Sequence, residues 1–210
     1  MARLLGSEAP RVFTQPLRPL NPETSLGFDC IDFAREILGM DLFPWQKWLL
    51  IHVLELRDDG LLRFRKVIVL VARQNGKTLI SEVLALYFMF ALKARMILGT
   101  AQDLSTASDV WMDTYDLASE SDVLTPLLTR PKTGKGSEQF GIKDPQNPDR
   151  ITRQSRVKAA NRRGRPGALQ VKTVLLVVAP QSPTGALGLS SPQPPQPLPP
   201  PTPTPTHLPY

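Results

Sequence analysis

The segment VLVARQNGKTLISE contains Gly76-Lys77-Thr78, directly after a run of β-branched and apolar residues. In a phosphate-binding loop, glycine makes a tight turn, lysine neutralises phosphate charge, and a hydroxyl group binds Mg²⁺. The first glycine of the usual loop is missing, since Val71 holds its position. A bare Gly-Lys-Thr also arises by chance, and the structural alternative is a strand–turn–helix corner with a surface lysine. The order strand, loop, helix favours a phosphate site at a helix N-terminus.

The flanking residues predict the elements that would hold this loop. Residues 67–72 are apolar on both faces, which is typical of a central parallel strand. Residues 78–93 are apolar nearly all round and predict a buried helix, and residues 95–99 predict a second parallel strand. A further helix follows, capped by Asp103 or Ser105. The predicted fold class is α/β, an incomplete P-loop NTPase-type parallel sheet with flanking helices.

The chain ahead of the loop predicts an arm and two helices. Residues 1–27 contain four prolines and predict an extended N-terminal arm. FDCIDFAREILGM predicts a helix capped by Asp29 and stopped by Gly39. FPWQKWLLIHVLEL predicts a second helix with Pro44 in its first turn, and His52 on its apolar stripe is interpreted as a core or edge histidine.

Composition limits the functional class. The 210 residues carry a formal net charge of +6, which fits a nucleic-acid partner. The single cysteine, Cys30, excludes an intramolecular disulfide and fits a reducing compartment. We find no signal peptide and no apolar run long enough to cross a bilayer, so we expect a soluble, cytoplasmic protein without a membrane partner.

Five segments, in order, resemble the ATPase region of tailed-bacteriophage terminase large subunits. VARQNGKT resembles the family's variant Walker A loop, in which the first glycine is commonly replaced. FPWQKWLL resembles the adenine-contacting segment, and LRFRKVIVLVARQNGKT the approach to the loop. GTAQDLSTASDVW and SRVKAANRRG resemble the segments that follow. The resemblance covers about residues 25–164.

The resemblance implies site residues and partners. ATP binding is carried over to Gln46, Arg73, Gln74, Asn75, Gly76, Lys77 and Thr78, with Thr78 holding Mg²⁺. Coupling roles fall on Thr100 and Gln102, and DNA contacts on Arg153, Arg156, Lys158, Arg162 and Arg163. Simpler alternatives remain: Gln46 as an exposed helix residue, Arg73 in an ion pair, Thr100 and Gln102 in helix capping, and the basic run as solvated charge. The implied partners are double-stranded DNA, a small terminase subunit and a portal protein, with homo-oligomers expected only of a complete protein. The host of such a protein is an infected or lysogenic bacterium.

The C-terminal part departs from the family. Asp149 is the last acidic residue, and residues 150–210 contain none, although the family carries a Walker B carboxylate pair in this region and a nuclease domain beyond it. We therefore expect residues 28–165 to be a partial ATPase domain, followed by a further strand of out-of-frame origin at 166–180. Residues 181–210 are rich in proline and predict a disordered tail. The abrupt change of composition suggests a frameshift or fusion near residues 164–166.

Three functions follow from this pattern. The first is an ATP-binding fragment of a DNA-packaging terminase, whose hydrolytic activity is expected to be weak or absent without Walker B carboxylates. The second is a helicase-type P-loop ATPase acting on nucleic acid, which shares the adenine glutamine and the Lys-Thr loop. The third is a folded remnant without enzymatic activity.

Overall fold

A computed structural model describes residues 10–72, 74–101, 104–134, 138–144, 147–159 and 175–178. The helices are α1 (Gly27–Glu36), α2 (Pro44–Val53), α3 (Lys77–Phe90) and α4 (Leu104–Ser119), with a short 3₁₀ turn at Thr125–Leu127. The strands are β1 (Met96–Ala101), β2 (Gln139–Asp144), β3 (Asn147–Ala159) and β4 (Leu175–Val178). The predicted tail, 181–210, lies outside the described residues, as does Asp103, one of the two expected caps of α4.

The four strands form one sheet in the order β2-β3-β1-β4. β1 and β3 are parallel, with Ile97 opposite Ser155 and Gly99 opposite Val157. β4 runs antiparallel to β1, and β2 antiparallel to β3. The predicted α/β class with a parallel sheet is therefore only partly confirmed, because the sheet is mixed, with one parallel strand pair and two antiparallel pairs. The antiparallel pairing of β2 and β3 follows from their closeness in sequence, because antiparallel strands need only a short connection.

The predicted central strand at 67–72 is also absent, although helix α3 and strand β1, which follow it in the chain, were correctly predicted. The residues lack strand pairing, and Ile68 and Leu70 are 85% and 79% exposed. A β-branched run becomes a strand only where a neighbouring backbone supplies hydrogen bonds. In this structure β3 and β4 flank β1 on its two sides, so no edge of β1 is left for residues 67–72.

Two helices and the arm pack ahead of the loop. Gly27, at the start of α1, lies where an added Cβ would come within 2.3 Å of the Cα of Ile51 in α2. The arm is anchored by Glu55, which is 1% exposed, accepts a hydrogen bond from the backbone N–H of Leu17 and pairs with Arg63 at 2.6 Å. Asp29 lies inside the first turn of α1, whose N-cap is Leu26, so its predicted capping role was wrong.

The core joins the helices to one face of the sheet. Leu86 and Met89 of α3, Ile97 of β1 and Phe140 of β2 are all buried. Phe140 packs against Trp111 of α4, with ring centroids 5.5 Å apart. All four belong to one hydrophobic core, and truncating a buried Leu or Met to Ala typically costs about 2–5 kcal/mol.

The hairpin of β2 and β3 was not predicted, since residues 126–148 look loop-rich and the following residues are mainly basic. Its strands are polar on one face. The pairing register shifts twice, between Ile142 and Lys143 and between Lys143 and Asp144. β3 is polar at successive positions from Arg153 to Arg156, so it lacks the apolar–polar alternation from which half-buried strands are recognised. The hairpin is joined to the rest of the sheet by the pairing of β3 with β1.

Candidate nucleotide-binding loop

The loop turns into α3 through a glycine that no other residue can replace without strain. Gly76 is the N-cap of α3 and has φ +72°, in the left-handed region. A Cβ at this position would lie 2.9 Å from Nε2 of Gln46. The left-handed turn and the close approach of a side chain therefore both require glycine, as expected for a tight loop.

Lys77 folds its side chain back over the loop. Its Nζ donates a hydrogen bond to the carbonyl oxygen of Val71 at 3.0 Å, with a longer contact of 3.5 Å to that of Ala72. The positive charge is thus held at the first turn of α3, which contains no acidic residue. A helix N-terminus carries partial positive charge, so this corner attracts anions. The sequence did not identify these two carbonyl oxygens as hydrogen-bond acceptors of Lys77, because every residue carries the same backbone carbonyl group.

Gln46 connects α2 to the same loop. It is completely buried; its Oε1 accepts a hydrogen bond from the N–H of Phe43 at 2.8 Å, and its Nε2 donates one to the carbonyl oxygen of Gly76 at 3.0 Å. The first of these bonds is half of a capping box, in which the third helical residue reaches back to the N-cap. The alternative of an exposed helix glutamine is therefore wrong. Adenine contact stays a prediction; each end of the amide retains one unused hydrogen-bonding position.

The remaining predicted loop residues lie at the surface. Gln74, with φ +63°, Asn75 and Thr78 are all exposed. Mg²⁺ binding by Thr78 stays a prediction. Arg73 lies outside the described residues, so its contact with phosphate remains a prediction.

The coupling candidates follow β1. Thr100 is half-buried in β1, one residue before the strand ends at Ala101. Gln102 lies outside the described residues. Ligands in α/β sheets bind beyond the carboxyl ends of strands, so the position of Thr100 fits a ligand-side role.

The predicted DNA-contacting residues divide between β3 and an undescribed segment. Arg153, Arg156 and Lys158 lie on β3, in register with Ile142, Gln139 and Thr100 respectively. Arg162 and Arg163 lie outside the described residues. Successive positions of a strand alternate between the two faces of a sheet. Arg153 is therefore placed on one face of the sheet, and Arg156 and Lys158 are placed on the other.

One buried carboxyl group lies on α3 about one turn beyond the loop. Glu82 of α3 is 8% exposed, and desolvation by burial, together with the nearby carboxylate of Asp113 in α4, raises its pKa to about 7. Sequence reasoning missed this residue, which looks like an ordinary polar position on an apolar helix. Its burial comes from the packing of α4 on α3.

In the part of the chain that the structure describes, no group of three or more His, Cys, Asp or Glu residues is placed to hold a metal ion. Within the same residues, no helix combines the length and apolar character that crossing a membrane requires.

The fold has a known structural counterpart. No family model and no curated protein matches the sequence. The crystal structure of the HK97 bacteriophage large terminase is similar to this chain, with a TM-score of 0.52 and 19% sequence identity. The match covers 68% of this chain but only 29% of the terminase chain. The chain therefore shares a fold with part of a phage large terminase and spans less than a third of that protein.

Proposed function

We propose that this chain binds ATP through the loop at residues 73–78 and belongs to the ATPase portion of a DNA-packaging terminase large subunit. The observation that carries the proposal is the corner at Gly76 and Lys77. A left-handed glycine, a lysine amine and the N-terminus of a 14-residue helix converge there. The similarity in fold to a phage large terminase supports the same function.

The residues present fit a triphosphate. The loop backbone at Gly76 approaches without a Cβ, and Lys77 supplies a positive charge whose present partners are uncharged carbonyl oxygens. Phosphate oxygens are stronger acceptors for an ammonium group than carbonyl oxygens are, because the hydrogen bond is then charge-assisted. Thr78 would hold Mg²⁺ through its exposed hydroxyl, and bound ATP would supply a transferable phosphoryl group.

Binding is tested with a fluorescent ATP analogue titrated into the full chain, with and without Mg²⁺. Lys77→Ala is expected to weaken binding at least tenfold, since it removes the charge that faces the phosphates. Lys66→Ala, at an exposed lysine outside the described helices and strands, is the matched control and should bind as the parent does. Equal affinity of all three proteins would refute the proposed site.

Turnover is proposed to be slow even where ATP binds. Residues 150–210 offer no carboxylate to hold the Mg²⁺ shell, and phosphoryl transfer depends on positioning and charge stabilisation. Loss of the carboxylates is expected to cost about 4–7 kcal/mol in the activation barrier. The assay is phosphate release with and without DNA, and rapid release that depends on Lys77 would contradict the expectation.

A further inference from the structure

An apolar segment at residues 67–72 leads directly into the candidate nucleotide-binding loop. Within the described part of the chain, these residues belong to no strand. The four apolar side chains from 67 to 70 are all exposed, and Ile68 and Leu70 are 85% and 79% exposed. Exposed apolar surface is unfavourable in proportion to its area. The segment is therefore stabilised by any neighbouring backbone that pairs with it and any side chains that cover it.

The edge of β1 that is suited to this segment is occupied by β4. The opposite edge of β1 pairs with β3 along its whole length, from Met96 to Ala101. β4 pairs with only the middle four residues of β1, from Ile97 to Thr100. Residues 67–72 are as many as the residues of β1, so they offer a longer ladder of backbone hydrogen bonds than β4 does.

The chain connection between residues 67–72 and β1 suits a parallel pair. Parallel neighbours need a crossover of about a dozen or more residues, which is usually a helix. Residues 73–95 exceed this length and contain α3, which packs beside β1. A strand–helix–strand unit is thus available to the chain when β4 leaves the edge of β1.

The side chain of Lys77 connects this edge to the loop. Its Nζ donates hydrogen bonds to the carbonyl oxygens of Val71 and Ala72, at 3.0 and 3.5 Å. Both carbonyl groups lie at the end of the apolar segment. Successive carbonyl groups of a strand point to opposite sides, so pairing of this segment with β1 turns one of the two acceptors toward β1. The ammonium group then loses one of its present partners and is released for a phosphate oxygen.

We infer that β4 and residues 67–72 compete for one edge of β1, and that β4 in this place holds the loop in a state with low affinity for ATP. In the alternative state, which we call the paired state, residues 67–72 are parallel to β1 and Lys77 is released. A ligand that prefers one of two states shifts the equilibrium toward it, so ATP and β4 oppose each other. The inference rests on the proposed function, because it concerns the regulation of the same loop.

Hydrogen exchange of the full chain without nucleotide tests the competition itself. Leu176→Pro with Val177→Pro removes a backbone donor that faces β1, because adjacent N–H groups of a strand point to opposite sides. The amides of residues 67–72 should then exchange about tenfold more slowly than in the parent, since exchange requires an unpaired amide. Leu187→Pro with Leu189→Pro, outside the described residues, is the matched control and should exchange as the parent does. Equal exchange in all three proteins would overturn the inference.

A disulfide between β1 and β4 gives a second test that does not weaken the sheet. Leu98 and Val177 are directly opposite each other, and opposite Cα atoms of an antiparallel pair are about 4.5–5.5 Å apart, which a disulfide spans. Leu98→Cys with Val177→Cys should therefore join on oxidation, whereas the native Cys30 is buried. Failure of the two thiols to join would overturn the inference.

Binding of the fluorescent ATP analogue measures the effect on the loop. A minor state is typically populated to about 10% or less, and apparent affinity is reduced by that fraction. The double-proline variant of β4 should therefore bind about tenfold more tightly than the parent. The oxidised disulfide variant should bind about tenfold more weakly than the same chain after reduction, since β4 cannot leave.

The two measurements separate this inference from the proposed function. Slower exchange at residues 67–72 without ATP binding by any variant would refute the nucleotide site and support the competition between strands. ATP binding that depends on Lys77 but is the same in both β4 variants and the parent would overturn the inference and leave the site standing. Slower exchange that appears only at high protein concentration would overturn it in favour of pairing with a second copy of the chain.

Discussion

The buried carboxyl of Glu82 makes the stability of the protein depend on pH near neutrality. Desolvation by burial is the main reason that its pKa rises from 4.5 to about 7, with repulsion from Asp113 as the smaller cause. The native protein therefore retains a proton that the unfolded chain has already released between pH 4.5 and 7. Stability must fall as pH rises through this window, because the unfolded state binds fewer protons than the native state.

The size of the effect follows from the shift. Each pKa unit corresponds to about 1.36 kcal/mol, so the full shift of Glu82 corresponds to about 3 kcal/mol at alkaline pH. Part of this stability is already lost by pH 5, so the free energy of unfolding should fall by about 2–3 kcal/mol between pH 5 and pH 8. Asp113 is exposed, and solvent screens its share of the repulsion. Added salt should therefore change the effect only slightly.

Urea denaturation of the full chain at pH 5 and pH 8 measures this dependence. Glu82→Gln has no charge to desolvate, so its free energy of unfolding should lose most of the pH dependence seen in the parent over this range. Asp113→Asn removes only the smaller cause and should retain most of it. Glu82→Gln leaves every other titratable side chain in place, so its comparison with the parent isolates Glu82. Identical pH dependence in the parent and Glu82→Gln would refute the reasoning.

Three substitutions test the loop and its supports. Gly76→Ala should cost at least about 1 kcal/mol in unfolding free energy and weaken ATP binding, since it strains a left-handed turn and meets Gln46; an unchanged urea midpoint would contradict this. Gln46→Glu keeps the acceptor for the N–H of Phe43 but loses the donor to Gly76, and a buried unpaired group costs about 1–3 kcal/mol. Amide hydrogen exchange at the start of α3 should therefore be faster, and unaltered exchange would contradict this. Gly27→Ala should destabilise more than either, because its Cβ would overlap the backbone of Ile51. Circular dichroism melts with Gly99→Ala provide the comparison, since Gly99 has no positive φ and nothing lies within 4 Å of the added atom; equal melting temperatures of these two variants would contradict the expectation.

Patterns within a few residues were enough to predict the local elements around the site. The apolar residues of α3, Pro44 at the start of α2 and the short apolar run of β1 were all recognised in the sequence, because helix formation and capping depend on near neighbours. The Gly-Lys-Thr turn was also recognised locally. Its glycine is required by a backbone angle and by a contact with Gln46, of which the motif alone reveals only the first.

Everything that depends on a distant partner was decided by the tertiary structure. Residues 67–72 have the composition of a strand, yet β3 and β4 flank β1 and leave them without one. The basic stretch at 147–159 has a weak strand pattern, yet it pairs on both sides and forms β3. Gln46 and Glu82 gained their roles from packing between helices that are separate in sequence. The physical reason is that strand pairing and burial are set by non-local contacts, whereas turns and helix ends are set by the residues that form them.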